Sequence, residues 1–134
     1  MENQQKNRLT AKEAMSRDLI FINGIASTGE AVDLMKEHQV DVLIVNKRNE
    51  FDAYGIVVAQ DLIRGVLAAS RSADDVSVYE IMTKPLVSVP SSMDVKYVAR
   101  LLLNLGLKQV PVEENGTLIG IISLRSLVFD NGLF

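Results

Sequence analysis

The chain contains no cysteine and no tryptophan, one histidine (His38), three prolines, and aromatics at only 5% of its 134 residues. Without thiols there is no disulfide framework, no thiolate metal site and no cysteine nucleophile, which fits a reducing compartment and makes cytoplasmic placement the expectation. A single imidazole with no clustered carboxylates offers neither a His–carboxylate constellation nor a metal-ligand set, so no catalytic residue, metal or required cofactor is expected. No apolar run reaches the roughly 20 residues that span a bilayer. Residues Met1 to Arg8 also lack the apolar core of a signal peptide, so no membrane insertion is expected. The net charge is −3 and the basic residues are scattered, without the footprint that a phosphate backbone requires, which argues against nucleic acid as a partner.

What the chain does contain, it contains twice. From Thr10 to Val45 and from Ser77 to Val112 one pattern recurs at the constant spacing of 67 residues that separates Met15 from Met82. Glu13 falls on Glu80, Leu19 on Leu86, Leu34 on Leu101 and Val45 on Val112. Beyond Val45 the spacing shortens to the 65 residues between Gly55 and Gly120, so the first copy carries two extra residues in one loop. The expected organisation is a tail over 1–9, a first repeat over 10–71, a polar linker over 72–76, a second repeat over 77–129 and a tail over 130–134. Each copy is too small to be comfortably stable alone, and two such units are expected to pack about a pseudo-two-fold axis, with a ligand at the seam.

Each copy reads as helix, strand, helix, strand, strand, helix. Thr10 with Glu13 and Ser77 with Glu80 form capping-box patterns before short helices, and Ser27 with Glu30 repeats the signal. Asp94 is the equivalent cap in the second copy. Leu19–Ile22 and Leu86–Val89 are expected as short strands. The following helices place Ala31, Leu34, Met35 and His38, and Val98, Leu101, Leu102 and Leu105, on a stripe of spacing i, i+3, i+4, i+7. Gly106 stops the second helix. Val42–Val45 and Gln109–Val112 then pair with strands ending Gly55-Ile56-Val57-Val58 and Gly120-Ile121-Ile122, and Asn115-Gly116 suits a type I′ hairpin. Closing helices are expected near 60–71 and 124–129.

Glu13-Ala14-Met15 and Glu80-Ile81-Met82, Gln109-Val110-Pro111-Val112, and the endings Gly55-Ile56-Val57-Val58-Ala59-Gln60-Asp61-Leu62 and Gly120-Ile121-Ile122-Ser123-Leu124-Arg125-Ser126-Leu127 resemble the cystathionine β-synthase (CBS) domain. Two in tandem resemble a Bateman module. The resemblance implies an α/β fold of two CBS-like β-α-β-β-α repeats, and a non-catalytic regulatory module that senses an adenosine-containing ligand of the AMP, ADP or ATP class in clefts between the repeats. It further implies dimerisation. A ligand-free assembly module with degenerated sites is the alternative.

In the family's ending, Gly-h-h-Thr/Ser-x-x-Asp, the hydroxyl meets phosphate and the Asp meets ribose. Asp61 keeps the carboxylate, but Val58 replaces the hydroxyl; Ser123 keeps the hydroxyl, but Ser126 replaces the carboxylate. One expected site joins Leu19, Ile20 and Val42 to Val58 and Asp61, and the other joins Thr83, Lys84, Pro85, Leu86, Val110 and Pro111 to Ser123 and Ser126. Asp61 and Ser123 could equally serve as helix caps. His38 reads as a part-buried core or edge residue, and Gly55 and Gly120 as close approaches of backbone, since no phosphate-loop pattern surrounds them. The second long helix carries Val95, Ala99 and Leu103 beyond its core stripe, and with Val128, Phe129, Leu133 and Phe134 this predicts a homodimer.

Overall fold

A computed structural model describes residues 8–134; of the tail expected over 1–9, residues 1–7 lie outside the described residues. Thr10 Oγ1 accepts from the Glu13 N–H at 3.3 Å and Glu13 Oε1 accepts from the Thr10 N–H at 3.0 Å, a reciprocal cap that starts α1 (Ala11–Ala14). After β1 (Phe21–Ile22), Ser27 and Glu30 make the same exchange at the start of α2 (Thr28–His38). That helix ends on Gln39 in the left-handed region at φ 55°, a position with no glycine to announce it.

β2 (Val42–Val45) and β3 (Gly55–Val58) follow, and then α3 (Ala59–Leu62), which widens into a π turn over Ile63–Leu67 instead of running as one helix to residue 71. A 3-10 turn (Ala73–Asp75) leads to α4 (Val78–Ile81), where Glu80 Oε2 accepts from the Ser77 N–H at 2.7 Å. β4 (Val89–Pro90) precedes α5 (Val95–Leu105), capped by Asp94 and closed by Gly106 at φ 65°. β5 (Gln109–Glu114) and β6 (Thr117–Ser123) meet in a hairpin whose Asn115 and Gly116 both have positive φ, 53° and 80°, as a type I′ turn demands. α6 (Leu124–Phe129) is the last element.

The strands form two three-stranded sheets of the same plan, β1-β2-β3 and β4-β5-β6, with the first pair parallel and the second antiparallel. The first strand of each sheet is only two residues long, shorter than expected. Leu19, Ile20, Leu86 and Val87 run outside the ladder.

The sheets organise two compact units, but the units are not the two sequence copies. One is Ile20–Leu86; the other joins the segment ending at Leu19 to Val87–Phe134. The short helix that opens each copy is therefore built into the sheet unit of the other copy. Ala11 and Ala14 of α1 lie in a core with Val89, Val98, Leu102, Val110, Val112 and Ile122. Val78 of α4 lies in a core with Ile22, Ala31, Met35, Leu43 and Val57.

The repeated glycines mark where this exchange presses hardest. A Cβ on Gly120 would collide with the Met15 side chain and stand 2.6 Å from the Ser16 carbonyl oxygen, and one on Gly55 would meet Met82 Sδ at 2.9 Å and the Thr83 carbonyl at 3.3 Å. Backbone hydrogen bonds complete the seams: Ile121 with Ser16, and Ile56 with Thr83, each bonded in both directions at 2.9 Å.

Two expectations about the helices fail. Val95 and Ala99, expected beyond the core stripe of α5, pack into the core, so of that set only Leu103 is exposed. His38 and its counterpart Leu105 are exposed, and the buried stripes are Thr28, Ala31 and Met35 in α2 and Val95, Val98 and Leu102 in α5. Both exposed positions fall in a last turn, after the stripe has left the core. Thr28 is wholly buried and satisfied, its hydroxyl donating to the Ala73 carbonyl at 2.7 Å.

Candidate functional site

The parallel–antiparallel order brings the start of β2 beside the end of β3, where α3 begins. Val42 is the register partner of Val58, and the Ala59 N–H donates to the Asp41 carbonyl at 3.0 Å. The Ile20 carbonyl accepts from the Ile44 N–H at 2.8 Å. Ile20, Val42, Val58 and Asp61 thus share one end of the first sheet, the three apolar side chains half-buried. Leu19 ends the segment assigned to the other unit.

Asp61 is 8% exposed. Its Oδ2 accepts from the Val58 N–H at 2.8 Å, and its Oδ1 from Arg64 Nη1 at 3.4 Å. The carboxylate caps α3 and still turns one oxygen toward a cation whose side chain is three-quarters exposed. Such an oxygen can accept a hydrogen bond from a hydroxyl. An open groove of about 540 Å³, lined by Met35, Val40, Asp41 and Leu62 among others, borders the same end.

The second ending has a different polar economy. Ser123 Oγ accepts from the Ser126 N–H at 3.0 Å, Ser126 Oγ accepts from the Ser123 N–H at 3.1 Å, and the Ser126 hydroxyl donates to the Ser123 carbonyl at 2.9 Å. Ser126 therefore fills the structural role of Asp61 with no charge to spare. Val110 is fully buried in the core and Pro111 is buried, so they have little side chain to present.

Thr83, Lys84, Pro85 and Leu86 belong to the unit Ile20–Leu86, whereas Val110, Pro111, Ser123 and Ser126 belong to the other. Thr83 bridges to Ile56, and the Leu86 N–H donates to the Tyr54 carbonyl at 3.0 Å. Pro85 is exposed. Lys84 Nζ lies 2.7 Å from Asp52 Oδ1 and 2.8 Å from its Oδ2. Asp52 also accepts from the backbone N–H and Nε of Arg48, at 2.9 and 3.1 Å, and the Lys84 ammonium above all holds its carboxyl far below the ordinary carboxylate range. Sequence reasoning passed over Asp52. Its one signal was the two-residue excess of the 46–53 loop, and nothing local ties it to a lysine 32 positions away.

Set against known proteins, the chain matches the CBS domain family model twice, over residues 11–68 and 78–129. It is 30% identical over 118 residues to an uncharacterized protein of Methanopyrus kandleri, covering 87% of this chain and 59% of that one. It is also 30% identical over 117 residues to the uncharacterized protein YlbB of Bacillus subtilis, covering 87% and 78%. The structure of a hexameric CBS-CP12 protein from bloom-forming cyanobacteria superposes with a TM-score of 0.88 at 40% identity, covering 92% of this chain and 68% of that chain. The chain spans about three-fifths of the length of the Methanopyrus relative.

Proposed function

Because the chain belongs to the CBS domain family, whose tandem pairs are regulatory modules, we propose that it is a non-catalytic sensor of an adenosine-containing ligand of the AMP, ADP or ATP class. The observation that carries this reading is Asp61, a carboxylate held at the start of α3 with one oxygen spent on the helix cap and the other facing an exposed arginine. A ribose presents two adjacent hydroxyls, and a carboxylate is the acceptor that gains most from them. Half-buried Ile20 and Val42 supply the apolar edge that an adenine ring needs. Phosphates would rely on backbone N–H groups, since Val58 brings no hydroxyl.

Any ligand that binds only the folded chain must raise its stability, by about 2.7 kcal/mol at a hundredfold excess over Kd. A thermal-shift and calorimetric panel of AMP, ADP, ATP, NAD and S-adenosylmethionine should therefore yield at least one saturable response. Asp61→Ala should weaken it by roughly tenfold or more, the equivalent of about 1.4 kcal/mol, and Ser123→Ala should weaken it less. Equal losses from both substitutions, or none from Asp61→Ala, would refute the assignment.

One observation favours a second reading. The second ending carries no carboxylate, its Ser126 hydroxyl both donates and accepts within the helix cap, and α5 and α6 expose Leu103 at 70% and Phe129 at 69%. A module whose second site has lapsed and whose apolar helices join copies into a homodimer fits these facts. Silence across the whole panel at millimolar ligand would select it.

A further inference from the structure

At the end of the first sheet opposite to Asp61, a cavity of about 520 Å³ opens within the unit Ile20–Leu86, a size ordinary for a small-molecule site. β3 has Gly55 at this end and leads into Asp61 at the other. Val45, Ile25 and Met82 give the cavity apolar surface, with Tyr79 beside them. A Cβ on Gly24 would stand 3.5 Å from Val45 and 3.6 Å from Tyr79, so a side chain added there is directed at the residues that line the cavity.

The rim is rich in donors. Asn23 Oδ1 accepts from the Ile25 N–H at 3.1 Å, which leaves the Asn23 amide NH₂ to the cavity side of the loop or to solvent. The Asn46 side chain has no hydrogen-bond partner among the described residues, and neither do the two terminal nitrogens of Arg48, whose side chain is 80% exposed. Lys84 completes the lining, and no carboxylate belongs to it. Asp52, just behind, answers Lys84 and Arg48 together, so two cations share one anion and a single positive charge remains.

The second copy places different residues at several of these positions. Asn46 becomes Glu113, Gly24 becomes Ser91 and Tyr79 becomes Lys12 in the 67-residue alignment. There Lys12 pairs with Glu114 at 3.2 Å and Glu113 accepts from the Ser88 hydroxyl at 3.1 Å. The surplus of donors is thus particular to the first copy, whose two extra loop residues lie in the segment that carries Arg48 and Asp52.

We propose that this cavity binds a small organic monocarboxylate, with the carboxylate on Arg48 and the neighbouring amides and the apolar body against Val45, Ile25 and Met82. A guanidinium fork matches a carboxylate geometrically, and one surplus positive charge matches a monoanion. A phosphate monoester, at about −1.5 to −2, would exceed it. The site does not depend on the adenosine reading.

The test is a titration of the ¹⁵N-labelled chain with hexanoate, benzoate and inorganic phosphate, followed by amide shifts. A carboxylate should move Gly24, Ile25, Asn46 and Met82 saturably at millimolar concentration. Arg48→Gln should weaken this by roughly tenfold or more, and Gly24→Leu, whose side chain fills the entrance, should abolish it while the rest of the spectrum stays folded. No response to either carboxylate, a response to phosphate as strong as theirs, or full affinity in Arg48→Gln overturns the proposal. Displacement of the carboxylate by AMP would put both ligands in one site and overturn it too. A chain that binds carboxylate here but no adenosine compound keeps this site and loses the preceding reading.

Discussion

Asp52 shows how a single side chain can be structural through its charge. Its carboxyl is lowered first by Lys84, while Glu13 and Glu80 are lowered first by the backbone N–H groups they cap and Glu114 first by the Ser91 hydroxyl. Groups lowered on folding stabilise the native state above their unfolded values, and that contribution fades as pH falls toward their folded ones. Stability should therefore hold from neutrality down to about 4.5, the ordinary value of the glutamates, and decline below it. Lys84→Met should lower stability at pH 7, with the gap to the parent narrowing below the ordinary Asp value of 3.8. Urea unfolding at pH 7 and pH 3 measures both; a gap independent of pH would rule out the Asp52–Lys84 pair as its source. At Gly120 the constraint is steric. Ala there faces a backbone carbonyl at 2.6 Å, so a loss of about 1–3 kcal/mol is expected from overpacking, read as a lower denaturation midpoint at unchanged m.

Among the elements, α1 and α4 are the instructive pair. Their caps are local and were legible: Thr10 with Glu13 and Ser77 with Glu80 sit three residues apart and need nothing else. Which sheet each helix joins was not legible, because Ala11, Ala14 and Val78 carry no mark of the partner they bury against. The exchange makes a directional prediction. A chain beginning after Met15 loses Ala11, Ala14 and the cover over Gly120, so amide protection should fall most in β6 and α5, which belong to the second sequence copy. Greatest loss in β1–β3 would contradict the exchange. The β5–β6 hairpin was legible from Asn115-Gly116 alone, since positive φ at both positions is what that pair tolerates best. Gln39, also at positive φ, was not, because glutamine is no signal for it.

For the whole molecule, Tyr97, Leu103, Val128 and Phe129 are exposed on α5 and α6 of one unit, apolar side chains that a second copy would cover. We expect a homodimer by light scattering at tens of micromolar, and Leu103→Glu should shift it toward monomer without altering the circular dichroism spectrum. A monomeric parent chain would refute this.

The repeat, the order of elements, the α/β class and the caps were determined by the sequence itself, because each rests on residues a few positions apart or on one spacing applied twice. The half-kept endings were visible too: Asp61 without a hydroxyl partner, Ser123 without a carboxylate. Only the tertiary structure decided that Ser123 and Ser126 spend their hydroxyls on each other, that Lys84 answers Asp52 in the unit of the first copy, and that the opening helices trade sheets. The last two of these outcomes depend on contacts between segments tens of residues apart. Burial energy there is non-directional, and a stripe of alanine and valine tells the chain to bury a face without saying against which partner.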